Sequence, residues 1–174
     1  QYFPVEEDER GTYIFNAKDL CLLTHLPLLV DAGVDAIKIE GRMKSPGYVG
    51  AVVRLYRLAL EWIAAQVFSG KSAVSLTLPD AFHKELSKIG TRGQTENFFS
   101  ARPSSEDMLY DRMRVEQSWV PVGLVRQAEP LLIETRHVLC CGDQVEHLGR
   151  SIEPDLVTVI AMKKKKKGGI AIAD

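Results

Sequence analysis

The sequence predicts an α/β region followed by an all-β region, and three observations support this fold class. Residues 11–57 alternate between helical and strand patterns with short joints, which is typical of a β/α unit. A long stretch after Ser45 carries apolar residues at helical spacing. From about Trp119 the chain breaks into short β-type runs between glycine-containing turns, a pattern that indicates a small antiparallel barrel or sandwich.

The first elements are predicted from local signals. Residues 1–11 are polar and acidic and are interpreted as a loop. Residues 12–15 form a short β-type run. Asn16 is a good N-cap, with an acidic residue three positions later, and it predicts a helix over residues 17–23.

A second short helix and a strand should follow. Pro27 suits the first turn of a helix over residues 26–32, and Gly33 is a natural stop after it. Residues 34–40 (VDAIKIE) alternate in the manner of a strand.

The next helix is predicted from Ser45 as N-cap and Pro46 as first residue, and it should end near Gln66. Its inward side chains recur at helical spacing: Val49, Val52, Val53, Tyr56, Leu60 and Ile63. Charged residues lie on its other faces: Arg54, Arg57 and Glu61.

The remainder is divided into a linker, a short helix and strands. Residues 69–75 are small and polar, and residues 79–89 predict an amphipathic helix with its apolar side inward. That side comprises Phe82, Leu86 and Ile89. Residues 90–114 look irregular. The β-type runs are 120–126, 131–137, 144–148, 156–162 and 170–173. The predicted domains are residues 1–68, 69–118 and 119–174.

Composition excludes several classes of protein. The 174 residues are 45% apolar and carry a net charge of −1, so the chain is not disordered and has no global attraction to polyanions. Three cysteines, two of them adjacent, suit a reducing cytoplasm, and no apolar run approaches the roughly 20 residues that span a bilayer. The chain begins at Gln1, as expected of a fragment or processed product. It contains no Ser/His/Asp elbow, HExxH or P-loop motif, which argues against ordinary hydrolase chemistry.

Three charged residues follow the predicted strand at its carboxyl end. Glu40, Arg42 and Lys44 are the candidate catalytic residues, because this end of a β/α barrel carries the chemistry. Arg42 could hold a carboxylate or phosphate with its planar fork, and Lys44 could add a point charge. The alternative is a structural pair between Glu40 and Arg42.

Cys21 has two interpretations, a small buried apolar residue or a metal ligand. His25 would lie on the same face if the helix were continuous, and both could then reach one metal ion. Pro27 weakens that geometry.

The lysine run of residues 163–167 is most simply a solvated hairpin loop. Five lysines could also contact a phosphate backbone and give salt-sensitive RNA affinity.

Four segments of the sequence resemble one family. GTYIFNAKDLC and AGVDAIKIEGRMKS, followed by YVGAVVRLYRLALE, resemble the end of the catalytic domain of the U-32 peptidase family, the collagenase-like proteases of unassigned catalytic type. ELSKIGTRGQTENFF resembles the start of that family's C-terminal domain. It departs from the usual His-Arg, aromatic-Thr and Gly-Phe pairs at three places: Thr91-Arg92, Gln94-Thr95 and Asn97-Phe98.

The resemblance implies a fold and a cofactor. The fold would be the last β/α units of a modified TIM-type barrel, followed by a small antiparallel β-barrel that is incomplete at its C-terminus. Members resemble each other in holding a 4Fe–4S cluster on four cysteines, and the KDLC motif makes Cys21 the fourth. The other three cysteines and the N-terminal part of the barrel lie upstream of this chain. The chain alone is therefore expected to be inactive, because one thiolate cannot hold a four-cysteine cluster.

The resemblance also implies a function, the oxygen-independent hydroxylation of a tRNA wobble uridine or an rRNA base, with prephenate as a possible co-substrate. The partner would be tRNA or rRNA, and the candidate RNA-binding residues are Arg92, Lys163, Lys164 and Lys165. Two alternatives stay open: a collagenase-like peptidase, as the family label states, and a non-catalytic module that binds RNA or peptide.

Overall fold

Three helices form the centre of the computed structural model, which describes residues 5–8, 11–14, 16–90, 93–102, 108–109, 119–164 and 170–173. Helix α1 spans Leu26–Asp31, α2 spans Pro46–Phe68 and α3 spans Asp80–Lys88. Single turns of 3₁₀ helix lie at Leu23–His25 and Ala73–Ser75.

Helices α1 and α2 confirm the local signals. Pro27 lies in the first turn of α1, and Gly33 follows its end with φ +74°, a conformation that glycine adopts without strain. Ser45 Oγ accepts a hydrogen bond from Tyr48 N at 3.2 Å, which caps α2, and Pro46 is the first residue of that helix.

The apolar core lies where the helices meet. Its buried members come from the α1 region, α2, α3 and the segment before α3: Leu23, Leu26, Leu55, Ala59, Ile63, Leu78 and Phe82. Each fully buried large apolar side chain contributes about 1.5–3 kcal/mol to folding. The inward face predicted for α2 is correct for Val52 and Ile63, but wrong for Val53, which is 47% exposed.

The N-terminal strands are short. Strands β1 (Val5–Asp8) and β2 (Gly11–Ile14) pair antiparallel. The loop predicted over residues 1–11 is therefore wrong for residues 5–8 and 11, and the β-type run predicted over residues 12–15 is confirmed for residues 12–14. The rest of both predictions lies outside the described residues. Strand β3 (Asn16–Ala17) pairs with β6 (Met108–Leu109).

The helix predicted over residues 17–23 is wrong. Strand β4 (Asp19–Leu20) pairs in parallel with β5 (Gln94–Thr95). Asp19 N donates to Gly93 O and Cys21 N donates to Thr95 O, both at 2.9 Å. These backbone hydrogen bonds to a distant segment outweigh the weak helix-capping signal of Asn16.

The strand predicted over residues 34–40 is also wrong. This segment has no regular secondary structure, and Val34 and Ile37 are 45% and 39% exposed. A strand is stable only when neighbouring strands satisfy its backbone groups, and no strand in the described part of the chain pairs with it. The β/α-barrel unit is therefore not formed by the residues that the structure describes.

The small β region comprises residues 119–164 and 170–173. Its strands are β7 (Gly123–Gln127), β8 (Leu132–Thr135), β9 (Gln144–His147), β10 (Asp155–Thr158), β11 (Met162–Lys164) and β12 (Ile170–Ala173). One antiparallel sheet has the order β11-β12-β8-β7, and β9 pairs with β10. The antiparallel strands predicted here are confirmed, but the sheets of the described residues do not close into a barrel.

The lysine run is only partly a loop. Lys163 and Lys164 belong to β11, where they pair with Ile172 and Ala171 of β12. Residues 165–169 lie outside the described residues, so the hairpin loop predicted there stays a prediction.

Candidate functional site

Cys21 lies at the end of β4, between the parallel pairing with β5 and the start of the first 3₁₀ turn. Its side chain is half-buried, and its Sγ lies 3.7 Å from the hydroxyl of Tyr56 on α2. The same hydroxyl accepts a hydrogen bond from Leu22 N at 3.2 Å. Since the phenol oxygen is already an acceptor, its own hydrogen is available to donate to the sulfur.

The pKa values of two tyrosines on α2 are raised near this thiol. Burial, the charge of Cys21 and the hydrogen bond to Cys21 raise the pKa of Tyr56 well above its ordinary value. Burial and the charges of Asp19 and Cys21 raise the pKa of Tyr48. Both phenols therefore stay protonated at neutral pH, and the Tyr56 hydroxyl keeps a hydrogen that it can donate to the Cys21 sulfur.

Lys44 reaches the Cys21 segment from the loop before α2. Its Nζ lies 2.7 Å from Asp19 Oδ2, two residues before Cys21, and 4.8 Å from the centre of the Tyr48 ring. The Lys44 and Asp19 side chains are 26% and 22% exposed, so solvent screens this ion pair only in part. The structure thus brings Lys44, Asp19 and the two tyrosines around Cys21.

Glu40 and Arg42 do not join this group through any described contact. Both are exposed, and the Glu40 carboxylate accepts a hydrogen bond from the backbone N of Arg42 at 2.9 Å. The expected position at the carboxyl end of a strand is absent, because residues 34–40 form no strand.

His25 does not act with Cys21. Its Nε2 lies 2.9 Å from Glu96 Oε2, an ion-pair distance when the imidazole is protonated, although the angle falls short of hydrogen-bond geometry. Its ring stacks on Phe99, with 4.3 Å between the centroids. The shared metal geometry considered for Cys21 and His25 is not formed, because β4 and a 3₁₀ turn replace a continuous helix.

A cleft of about 430 Å³ opens beside Cys21. Its lining includes His83 of α3, Gln94 of β5, Glu96 and Arg102. No sequence signal singled out His83 or Arg102, because the segments that carry them meet Cys21 only in the folded chain.

Comparison with known proteins now identifies the family. Residues 1–109 match the model of peptidase family U32. The chain belongs to peptidase family U32. This finding confirms the resemblance in the KDLC and KIEGRMKS blocks.

Among the relatives of this U32 chain are proteins with two kinds of name. The tRNA hydroxylation protein P1 of Bacillus subtilis is 29% identical over 150 residues, which cover 84% of the chain and 34% of that protein. The tRNA hydroxylation protein P of Escherichia coli is 35% identical over 111 residues, 64% of the chain and 22% of that protein. An uncharacterized protease of Methanocaldococcus jannaschii is 29% identical over 148 residues, 81% of the chain and 34% of that protein. The chain therefore spans between 22% and 34% of the length of these relatives, and no solved structure matches it.

A complete metal site is not formed by the part of this U32 chain that the structure describes. No group of three or more His, Cys, Asp or Glu side chains there is placed to hold a metal ion. Cys140 and Cys141 are exposed in the turn before β9. Cys21 supplies a single thiol at this position, so the described residues do not fit a whole four-cysteine cluster.

The candidate RNA contacts are described in part. Lys163 is exposed on β11, whereas Arg92, Lys165 and the side chain of Lys164 lie outside what the structure describes. In the described ranges, no helix is both long and apolar enough to cross a membrane.

Proposed function

We propose that this U32 chain carries one ligand position of an iron–sulfur protein that supports tRNA hydroxylation. The environment of Cys21 is the observation that carries the proposal. Its thiol contacts the Tyr56 hydroxyl, and Asp19, two residues earlier, pairs with Lys44. Two relatives in different bacteria are named tRNA hydroxylation proteins, which supports the choice of substrate.

Cys21 would supply one thiolate of the cluster, and the other ligands would come from elsewhere in the whole protein. The Tyr56 hydroxyl is placed to donate to the bound sulfur, as outer hydrogen bonds do in metal sites. Such a cluster would supply one-electron chemistry when bound.

Anion binding belongs to the same proposal. Lys44 pairs with Asp19, two residues before Cys21, and Arg42 carries an exposed guanidinium in the same loop. These two cations would bind the carboxylates of a co-substrate such as prephenate, or a phosphate of the RNA. Lys163, Lys164, Lys165 and Arg92 would contact the RNA backbone, of either tRNA or rRNA.

The peptidase alternative has less support from the geometry. A cysteine peptidase needs an imidazole beside its thiol. Cys21 instead meets a phenol, and His25 is engaged by Glu96 and Phe99. His83 lines the cleft beside Cys21, but no described hydrogen bond joins its ring to the thiol.

A hybrid protein tests the proposal. This chain would replace the matching region of the Bacillus subtilis tRNA hydroxylation protein P1. The host strain would lack both P1 and the tRNA hydroxylation protein P2 of the same bacterium, which is also similar to this chain. We expect the hybrid to restore tRNA hydroxylation, and the Cys21→Ser hybrid to lose both hydroxylation and bound iron. Cys140→Ser is the matched control and should change neither. Equal iron and equal hydroxylation in the Cys21→Ser hybrid would contradict the proposal.

A further inference from the structure

Helix α2 contacts the small β region through a face that the Cys21 site does not use. Gly47, in its first turn, lies against Pro121: a Cβ atom placed on Gly47 would be 3.3 Å from Pro121 Cβ and Cγ. Glycine at this position lets the chain before β7 approach the helix backbone. Arg54, seven residues later, lies on the same side of the helix.

Arg54 binds the connection between β9 and β10 through its whole guanidinium. Its Nε donates to Gly149 O at 2.8 Å, and its Nη2 donates to Ser151 O and to Ile152 O, the latter at 3.3 Å. Its Nη1 lies 3.4 Å from Glu85 Oε2 of α3. The Arg54 and Glu85 side chains are 13% and 9% exposed, so these contacts form with little water.

The burial makes these contacts specific to arginine. A largely buried charge is tolerated when carbonyls and a carboxylate satisfy its donors, and it is costly when they do not. The planar fork of arginine serves three backbone carbonyls and one carboxylate at once, which a lysine cannot do.

Lys88 of α3 adds a second link to the β region. Its Nζ lies 2.7 Å from Glu85 Oε1 and 2.7 Å from Glu146 Oε2 of β9. It also lies 4.7 Å from the centre of the Trp119 ring. Glu85 therefore pairs with both Arg54 of α2 and Lys88 of α3.

The same helix reaches the Cys21 site. Tyr56 is two residues after Arg54 and projects from nearly the opposite side of α2, where its hydroxyl meets Cys21 and Leu22. Sharp kinks in a helix arise at defined interruptions such as an internal proline, and the 23-residue helix α2 has its proline only at its first position. The position of the β region is thus linked to the Cys21 segment through one rigid element.

We propose that Arg54 is a positioning residue that fixes the β9–β10 connection on α2, and with it the small β region relative to the Cys21 site. The second part of this inference rests on the proposed function, in which the β region contacts RNA while Cys21 holds the cluster.

The contact between Arg54 and the β9–β10 connection is called the joint below. Hydrogen–deuterium exchange of the chain tests it directly. In Arg54→Met, amides of residues 146–154 should exchange about tenfold faster or more, while residues 55–63 of α2 stay protected. Arg57→Met is the matched control, because Arg57 lies on the same helix, is 74% exposed and pairs with Glu61. It should leave residues 146–154 unchanged.

A second variant distinguishes a local effect at the joint from a general loss of folding. Arg54→Lys keeps the charge but cannot reach all the acceptors, so residues 146–154 should again exchange faster with α2 protected. Unchanged exchange in both Arg54 variants, or equal acceleration in Arg57→Met, would overturn the joint. Acceleration spread evenly over the chain in both Arg54 variants would also overturn it.

The hybrid protein separates this inference from the proposed function. In it, Arg54→Lys should lower the rate of tRNA hydroxylation severalfold while the Kd for tRNA stays within about twofold, since positioning and not binding is disturbed. An unchanged rate would overturn the positioning role. If the hybrid with the unaltered chain does not hydroxylate tRNA, the proposed function fails, and the exchange experiment alone decides whether the joint exists.

Discussion

Tyr56 contacts both the side chain of Cys21 and the backbone of the next residue. Its hydroxyl joins the thiol to the backbone of Leu22, so one atom fixes two neighbouring groups. Tyr56→Phe leaves the Leu22 N–H without this acceptor, and we expect the free energy of unfolding to fall by about 1 kcal/mol. Urea denaturation followed by circular dichroism measures this change.

Tyr48→Phe is the control for that prediction. It keeps the aromatic ring beneath Lys44 and removes a hydroxyl from the same helix. Its effect should be smaller than that of Tyr56→Phe. Equal stability of the Tyr56→Phe and wild-type chains would mean that the phenol does not support Leu22.

At the residue scale, the sequence singled out Cys21 and Lys44 but not the residues that they contact. The KDLC motif marked Cys21 through the family resemblance, whereas Lys44 was marked by its position after a predicted strand that the structure does not contain. Asp19 was interpreted as part of a helix cap and Tyr56 as a core residue. Their actual roles depend on contacts between segments 25 and 35 residues apart, which leave no periodic signal.

Helix α2 is the element that organises the molecule, because its faces serve the core, the Cys21 segment and the β region. Leu55 is 1% exposed in the core, whereas Val53 is 47% exposed. Leu55→Ala should lower the free energy of unfolding by about 2–5 kcal/mol, since it leaves a cavity. Val53→Ala should change it by less than about 0.5 kcal/mol.

Chemical denaturation of the two variants tests this assignment of faces. A larger loss of unfolding free energy in Val53→Ala than in Leu55→Ala would mean that Val53 faces the core, as the apolar spacing predicted. Such an outcome would contradict the packing of α2 in the structure.

At the element scale, the three helices α1, α2 and α3 were predicted well from local signals, whereas the helix indicated by Asn16 was wrong. Capping by Ser45, proline in the first turn and a long apolar spacing fixed α2, because all three act within a few residues. Residues 34–40 have the alternation of a strand but no partner in the described residues, and backbone pairing is a non-local property. The parallel pairing of β4 with β5 escaped prediction for the same reason.

The whole molecule is joined by a charge network that local patterns do not indicate. Arg54 was assigned to a face away from the core, which is correct, yet it donates to the carbonyl of Gly149, 95 residues away. Glu85 lies on α3, an amphipathic helix that was predicted correctly. The Glu85 carboxylate is buried because it pairs with two cations, Arg54 and Lys88. Sequence therefore predicted the α/β and all-β parts but not the contact between them.

Lys88 makes the stability of this network depend on pH. Burial lowers the pKa of Lys88, but hydrogen bonds to Glu146 and Glu85 outweigh it, so the pKa is raised above its ordinary value. A raised pKa means that the folded chain holds the proton more tightly than the unfolded chain. The stabilisation is therefore fully present below the ordinary lysine pKa of about 10.4, and it is lost as pH rises through the folded value.

Unfolding experiments between about pH 8 and 12 can isolate this contribution. The free energy of unfolding of the wild-type chain should fall more steeply above about pH 10.4 than that of Lys88→Met, because that variant lacks the titrating group. Lys84→Met is the control: Lys84 is exposed on α3, and this variant should keep the wild-type pH dependence. Parallel curves for the wild-type and Lys88→Met chains would mean that the Lys88 ammonium does not hold Glu85 and Glu146 together. The link from α3 to the β region would then have to rest on the Arg54 contacts with residues 149–152.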